Sequence, residues 1–303
     1  ADQSPVSIHV QSIPAQGRHV AWFAPRTSPG SGTIRMRVRG AAEAQEAALE
    51  FLPANSPDVQ PTRRDWRDGL VLLTNGRGGM ARLCVDLGRV MSKYDCLLGA
   101  NLHPAFPVDR HVFAKRARVW VNADGFLSAL DARNLARFES GPPARWEFSA
   151  HAGDERAVPI TLEARMLPER NTTLLEFTRP NAGTAADATE VRLTVRVDIE
   201  DRNFHCETKH NTDAERHFQS HTTTLPEGAG FEFKPAADRQ LRVWADGGAY
   251  HPAPEWSDNI PHPVEQSRGQ TGSGDAFSPG WFDLPLAAGK HRRVWISAEP
   301  EPP

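Results

Sequence analysis

The segment EVRLTVRVDIE, residues 190–200, alternates without a break. Val191, Leu193, Val195, Val197 and Ile199 fall on one side, and Arg192, Thr194, Arg196 and Asp198 on the other. A period of two is the pattern of a strand with one buried face; a helix would repeat every 3.6 residues. TIRMRVRG repeats the device with Ile34, Met36 and Val38 against Arg35, Arg37 and Arg39. TLLEFTRP, FEFKP, LRVWADGG and HRRVWISAEP read as shorter strands ending at Gly or Pro. RVWVNADGFLSAL predicts a hairpin turning at Asp124-Gly125, a pair suited to a type I′ turn.

The chain has 25 prolines and 23 glycines in 303 residues, and they cut the alternating runs at short intervals. Short strands with frequent turns point to a sandwich or barrel. GAAEAQEAALEFLPA has the composition of a helix, but Ala47, Leu49 and Phe51 alternate, so it is read as a strand. The expected architecture is all-β, a large antiparallel β supersandwich with an N-terminal β extension. The low-hydrophobicity stretch 54–69 is the expected boundary, giving an extension or small subdomain over 1–60 and the supersandwich over 61–303.

With 39% apolar residues, 24% charged residues and a net charge of −3, this is the composition of a globular protein, and no basic stripe marks it as a nucleic-acid binder. No run approaches the roughly 18 apolar residues of a membrane span. Three widely spaced cysteines, Cys84, Cys96 and Cys206, make no disulfide framework and favour a reducing compartment. No signal segment is visible at ADQSPVSIHV, and the expected location is the cytoplasm.

LLTNGRGGMA, residues 72–81, places three glycines behind an apolar run. A phosphate cradle would need G-x-G-x-x-G opening a helix, or G-x-x-x-x-G-K-[ST]. Gly76, Gly78 and Gly79 fit neither, and a tight turn with positive φ is expected.

Residues 72–110 resemble the N-terminal domain of bacterial glycogen-debranching enzymes of the amylo-α-1,6-glucosidase type. Asn75, Gly76, Arg77, Gly78 and Gly79 match the family's N-G-x-G-G loop. Ser92 to Leu98 is similar to its R-x-Y-H-G-L-L segment, with Lys93 for Arg and Asp95-Cys96 for His-Gly. Glu265, Arg268, Gly269, Asp275, Pro279 and Gly280 match its E-x-x-R-G-x(n)-D-x-x-x-P-G stretch. The resemblance implies a β supersandwich that helps position an α-glucan such as glycogen. It also implies packing on a C-terminal catalytic α/α toroid of the same polypeptide. On that footing the chain is the non-catalytic part of an α-1,6-glucosidase, without activity alone and without cofactor. The alternative is a free-standing carbohydrate-binding or interaction β-sandwich protein.

Candidate substrate-binding residues are Asn75, Arg77, Tyr94, Trp256 and Trp281. The first three are expected to form one polar cluster. For Tyr94 a buried ring with its hydroxyl on backbone is the competing expectation. Trp256 and Trp281 sit among polar residues, and an indole suits the apolar face of a pyranose. Trp120, Trp146, Trp244 and Trp295 are expected in the core. No catalytic pair stands out: Asp198, Glu200, Asp201 and Glu207 read as a solvated outer face and a turn. His205, His210, His217 and His221 read as scattered imidazoles and not as a metal site.

Overall fold

In a computed structural model of the chain, the described residues are 69–103, 110–153, 156–181, 183 and 185–300, together with 10, 13–15, 18–21, 30–37 and 44–51. The chain divides into two compact units, Ala1–Arg64 and Asp65–Pro303.

The first unit contains two hairpins. Strands β1 (Ile13–Ala15) and β2 (Arg18–Val20) pair with each other, as do β3 (Gly30–Arg37) and β4 (Ala44–Phe51). The helix-like composition of residues 44–51 thus folds as a strand, as its alternation predicts. The apolar face expected for β3 is open: Ile34 is 42% and Met36 53% exposed. Val38 lies outside the described residues.

The second unit is two eight-stranded antiparallel sheets. Its strands are β5 (Leu70–Thr74), β6 (Met80–Cys84), β7 (Cys96–Asn101), β8 (Arg110–Ala123), β9 (Phe126–Ala129), β10 (Leu135–Glu139), β11 (Ala144–His151), β12 (Ala157–Met166) and β13 (Thr172–Thr178). They continue with β14 (Val191–Asn203), β15 (Thr222–Thr224), β16 (Gly230–Ala236), β17 (Arg239–Ala245), β18 (Ala249–Pro261), β19 (Ser273–Pro285) and β20 (His291–Ser297). One sheet runs β10-β11-β12-β13-β20-β17-β16-β15. The other runs β18-β19-β14-β8-β7-β6-β5, with β9 attached to β8. Two short helices, α1 (Thr212–Ser220) and α2 (Pro263–Gln266), interrupt the strands. The fold is therefore the all-β sandwich that the alternation and the punctuation predict.

The core lies between the sheets. Val119, Val121, Leu193, Val195 and Phe282 come from one sheet, and Trp146, Ile160, Phe177, Phe233 and Val243 from the other. Each such side chain contributes about 1.5–3 kcal/mol by leaving water. β8 and β9 turn at Asp124 (φ 49) and Gly125 (φ 87), the two positive angles a type I′ turn requires.

Helix α1 is foreshadowed by no apolar stripe. It is set by its ends: Asn211 caps it, its Oδ1 accepting from Ala214 N at 2.9 Å, and Asp213 and Glu215 fill the first turn. Its one buried residue is Phe218.

Two expectations need correction. Of the four tryptophans assigned to the core, only Trp146 is buried. Trp244 and Trp295 are half-buried and stack cross-strand at 5.6 Å, while Arg118 covers half-buried Trp120 at 5.8 Å. The acidic cluster is also not solvated: Asp198 is 0% and Glu200 1% exposed. The β14–β8 register shifts between Asp198 and Ile199 and again before Arg202, so alternation no longer decides which side chains meet water.

Candidate functional site

The glycine loop after β5 is a knot tied by one amide. Asn75 Oδ1 accepts from Arg77 N and Gly79 N, both at 2.9 Å. Its Nδ2 donates to Arg170 O at 3.0 Å and Asn171 Oδ1 at 3.2 Å. Gly76 (φ 82) and Gly78 (φ 93) supply the left-handed positions. Gly79 is needed for another reason: a Cβ there would lie 2.5 Å from Asn75 Nδ2 and 2.7 Å from Asn171 Oδ1. The Arg77 and Gly79 amides therefore serve the fold. Arg77 donates to Glu169 O at 3.1 Å and stands 3.7 Å from the Glu299 carboxylate. Asn101 Nδ2 and Arg110 Nε hold the loop from outside through Arg77 O and Gly78 O, each at 2.6 Å.

The second segment, residues 91–95, is a turn resting on a layer of buried charge. Asp95 accepts from Met91 N (2.7 Å) and Ser92 N (3.0 Å) and pairs with Arg82. Glu265 accepts from Ser92 Oγ at 2.7 Å and Lys93 N at 3.1 Å. Lys115 Nζ donates to Ser92 O (3.2 Å) and Lys93 O (2.8 Å), and Arg202 donates to Lys93 O at 2.6 Å while pairing with Glu200 at 2.9 Å.

The electrostatics follow from this burial. Burial opposes the charged form of Glu265, yet the Ser92 and Lys93 donors outweigh it and hold the carboxyl below its ordinary value. Burial lowers Lys115, with Glu200 acting against the shift. The Cys84 thiol is pushed up to about 12 by burial and by the Asp95 charge. Buried His262, next to α2, falls to about 4 for lack of solvation, with Lys115 adding to the effect.

Tyr94 stands on the outside of this turn. Its half-buried ring lies 4.8 Å from Phe204 and edge-on to exposed His205 at 5.8 Å, and its hydroxyl is 3.2 Å from His205 Nδ1. The hydroxyl thus meets a side chain and not backbone. Phe204 packs inward on Met80, Cys96 and Val112. Lys93 Nζ donates to His205 O (2.8 Å) and Glu207 (2.9 Å) beside the rings. Asn75 and Arg77 share the glycine loop, while Tyr94 belongs to this separate aromatic group. Arg110 links the two: it bonds Gly78 O and lies 5.7 Å from the Phe204 ring centroid.

The two tryptophans lie on neighbouring strands elsewhere. Trp256, on β18, is stacked under His210 at 4.3 Å and 8°, with Phe218 edge-on at 5.4 Å. Trp281, on β19, stacks on its cross-strand neighbour His251 at 4.2 Å. His217 and His221 stand together, their ring centroids 4.9 Å apart. His217 donates to Asp201, which also accepts from His111 and Arg239, and His221 Nδ1 lies 2.7 Å from His217 O. Among the described residues no group of three or more His, Cys, Asp or Glu side chains could hold a metal ion.

Sequence reasoning does not flag Lys115, Arg202 or Asp95 as parts of one structure, because their shared target is a backbone turn that no motif encodes. A lysine inside the apolar run HVFAKRARVWV is the available signal.

The family model "Glycogen debranching enzyme N terminal" matches residues 70–293, which include the loop, the turn and Glu265. The chain belongs to this family. No curated protein matches the sequence. Among solved structures, a bacterial glucoamylase complexed with acarbose is similar over 77% of this chain and 34% of its own, at 9% identity and TM-score 0.37. A structure described as a "putative kojibiose phosphorylase from human microbiome" is similar over 77% of this chain and 30% of its own, at 6% identity and TM-score 0.32. The chain thus spans about a third of the length of either structure. Among the described residues of this debranching-enzyme N-terminal domain, no helix is long and apolar enough to cross a membrane.

Proposed function

We propose that this chain is the non-catalytic N-terminal domain of a glycogen-debranching-type glycoside hydrolase of the amylo-α-1,6-glucosidase class. It helps to position an α-glucan and packs on a C-terminal α/α toroid that carries the catalytic carboxylates. On this reading residues 1–60 are an N-terminal β extension or small subdomain and residues 61–303 the supersandwich. The observation that carries this reading is the family match over residues 70–293 together with the way those residues are used. The polar groups of the matched loop and turn fix backbone within the second unit.

The state of the carboxylates supports the non-catalytic part. Glycoside hydrolysis needs one carboxylic acid kept protonated beside an ionised partner. Here Asp198 is locked between Arg116 and Arg118, and Glu200 pairs with Arg202. Asp201 and Glu265 are both held below their ordinary values, the reverse of what a general acid requires. Three unpaired cysteines, two of them buried, support a cytoplasmic location.

The test is glucose release from a branched α-glucan by this chain alone and by the chain joined to its toroid. We expect release only from the joined protein. Turnover by residues 1–303 alone would overturn the reading.

A further inference from the structure

We propose that Tyr94, Phe204 and His205 form a pyranose-binding surface for the α-glucan. The proposal rests on the glucan-positioning reading above and locates its contact. Two of these residues, Phe204 and His205, belong to no sequence motif.

Buried charges lie directly beneath this surface. Removing charges from water is costly, and buried ion pairs are weak contributors to net stability compared with apolar packing. Yet Asp95, Lys115, Arg202 and Glu265 are all buried, and all four direct their polar atoms at residues 91–93. Their common effect is to fix the backbone that presents Tyr94. A turn held this firmly is preorganised, and preorganisation lowers the entropic cost of binding.

What the turn presents suits a sugar. The Tyr94 and Phe204 rings, 4.8 Å apart and tilted by 39°, offer apolar ring surface, and His205 stands edge-on to both at 5.8 and 5.6 Å. The Lys93–Glu207 pair and Arg110 border it with a donor, an acceptor and a second cation. A pyranose has the matching halves, an apolar face and a rim of hydroxyls. The tryptophans are less suited. Trp256 and Trp281 each have a histidine ring stacked on one face, His210 and His251, whereas the Tyr94 ring is met edge-on by His205 and has the Lys93 ammonium 5.5 Å from its centroid.

Affinity electrophoresis of the full chain in gels containing glycogen tests the proposal. Wild type should be retarded. Tyr94→Ala and His205→Ala should each raise the apparent Kd about tenfold, while Tyr94→Phe, which keeps the ring, should stay near wild type. His205 is exposed, so His205→Ala reports on binding without a folding defect, and unchanged far-UV circular dichroism checks this. If both alanine variants are retarded as strongly as wild type while Trp281→Ala is not, the surface lies on β18–β19. The proposal then falls and the glucan reading stands. If wild type itself is not retarded, both fall.

Discussion

The Glu265 carboxylate accepts a hydrogen bond from the Ser92 hydroxyl at 2.7 Å, across 173 residues of chain. The same carboxylate takes the Lys93 amide at 3.1 Å. Two segments that match separate family motifs therefore meet through one side chain. A buried carboxylate with two donors is well matched, and removing it leaves Ser92 Oγ and Lys93 N without their acceptor.

Glu265→Ala should therefore destabilise the protein by about 3–6 kcal/mol, since it removes two hydrogen bonds to a charged group worth about 1.5–3 kcal/mol each. Glu265→Gln retains the acceptor oxygen for one partner and should lose less. Urea denaturation measures both. Equal losses for the two variants would show that charge and not hydrogen bonding holds the turn.

The glycine loop offers a comparison between two glycines. Gly79→Ala drives a methyl group to 2.5 Å from Asn75 Nδ2, inside the knot, and should cost well over the ~1 kcal/mol of an ordinary glycine replacement. A methyl carbon added at Gly125 would meet nothing within 4 Å, so Gly125→Ala should cost only the strain of its φ of 87. Thermal unfolding of the pair should show the larger loss at position 79. A smaller loss there would mean that the Asn75 knot gives way without penalty.

Asp201 should govern acid stability. Burial opposes its charge, but donors from His111 and Arg239, with His217, outweigh burial and depress its pKa well below the usual carboxylate range. A depressed folded-state pKa stabilises the protein above the unfolded value of 3.8, and that stability is lost as pH falls through the folded value. Urea midpoints measured from pH 6 down to pH 3 should therefore fall for wild type as the unfolded chain begins to take up protons. Asp201→Asn should lose stability at pH 6 and fall less steeply below pH 4. Parallel curves for the two proteins would remove Asp201 from the account.

How much of this can be seen in the sequence depends on distance along the chain. Alternation in Val191–Val197 is local and reveals the strand and its buried face. It fails at Asp198 and Glu200, because a shift of register and the arginines of β8 and β14 take those carboxylates out of water. The positive φ of Gly76 and Gly78 is legible from glycine itself. The reason for Gly79 is legible only in part: a methyl group there would meet the nearby Asn75 amide at 2.5 Å, but also the Asn171 side chain at 2.7 Å, which arrives from 92 residues away along the β12–β13 connection. Tyr94 can be named from its motif, but Phe204 and His205 join it only through the fold.

His210 carries a pH signature of the opposite sign. Its Nδ1 lies 2.8 Å from Asp258 and its Nε2 3.0 Å from Glu215, while the ring stacks on Trp256 at 4.3 Å. Two carboxylate acceptors require protons on both ring nitrogens, so the imidazolium is the favoured form, and a cation over an indole adds to that preference. Glu215, its strongest partner, raises the pKa above 6.5, and Asp258 adds to the rise despite some loss of solvation. Asp275 accepts from the His210 amide at 2.8 Å and the Asn259 amide at 2.7 Å, and neighbouring Lys209 is engaged with Ser273 O. With the folded pKa raised, this stabilisation is fully present below pH 6.5 and is lost as pH rises through the folded value. All three partners sit near the surface, so salt should weaken the effect. An NMR titration of the imidazole resonances should place His210 above 6.5, and Glu215→Gln should move it down more than Asp258→Asn does. A His210 midpoint at or below 6.5 at low salt would show that helix α1 is held to β18 by Phe218 packing alone.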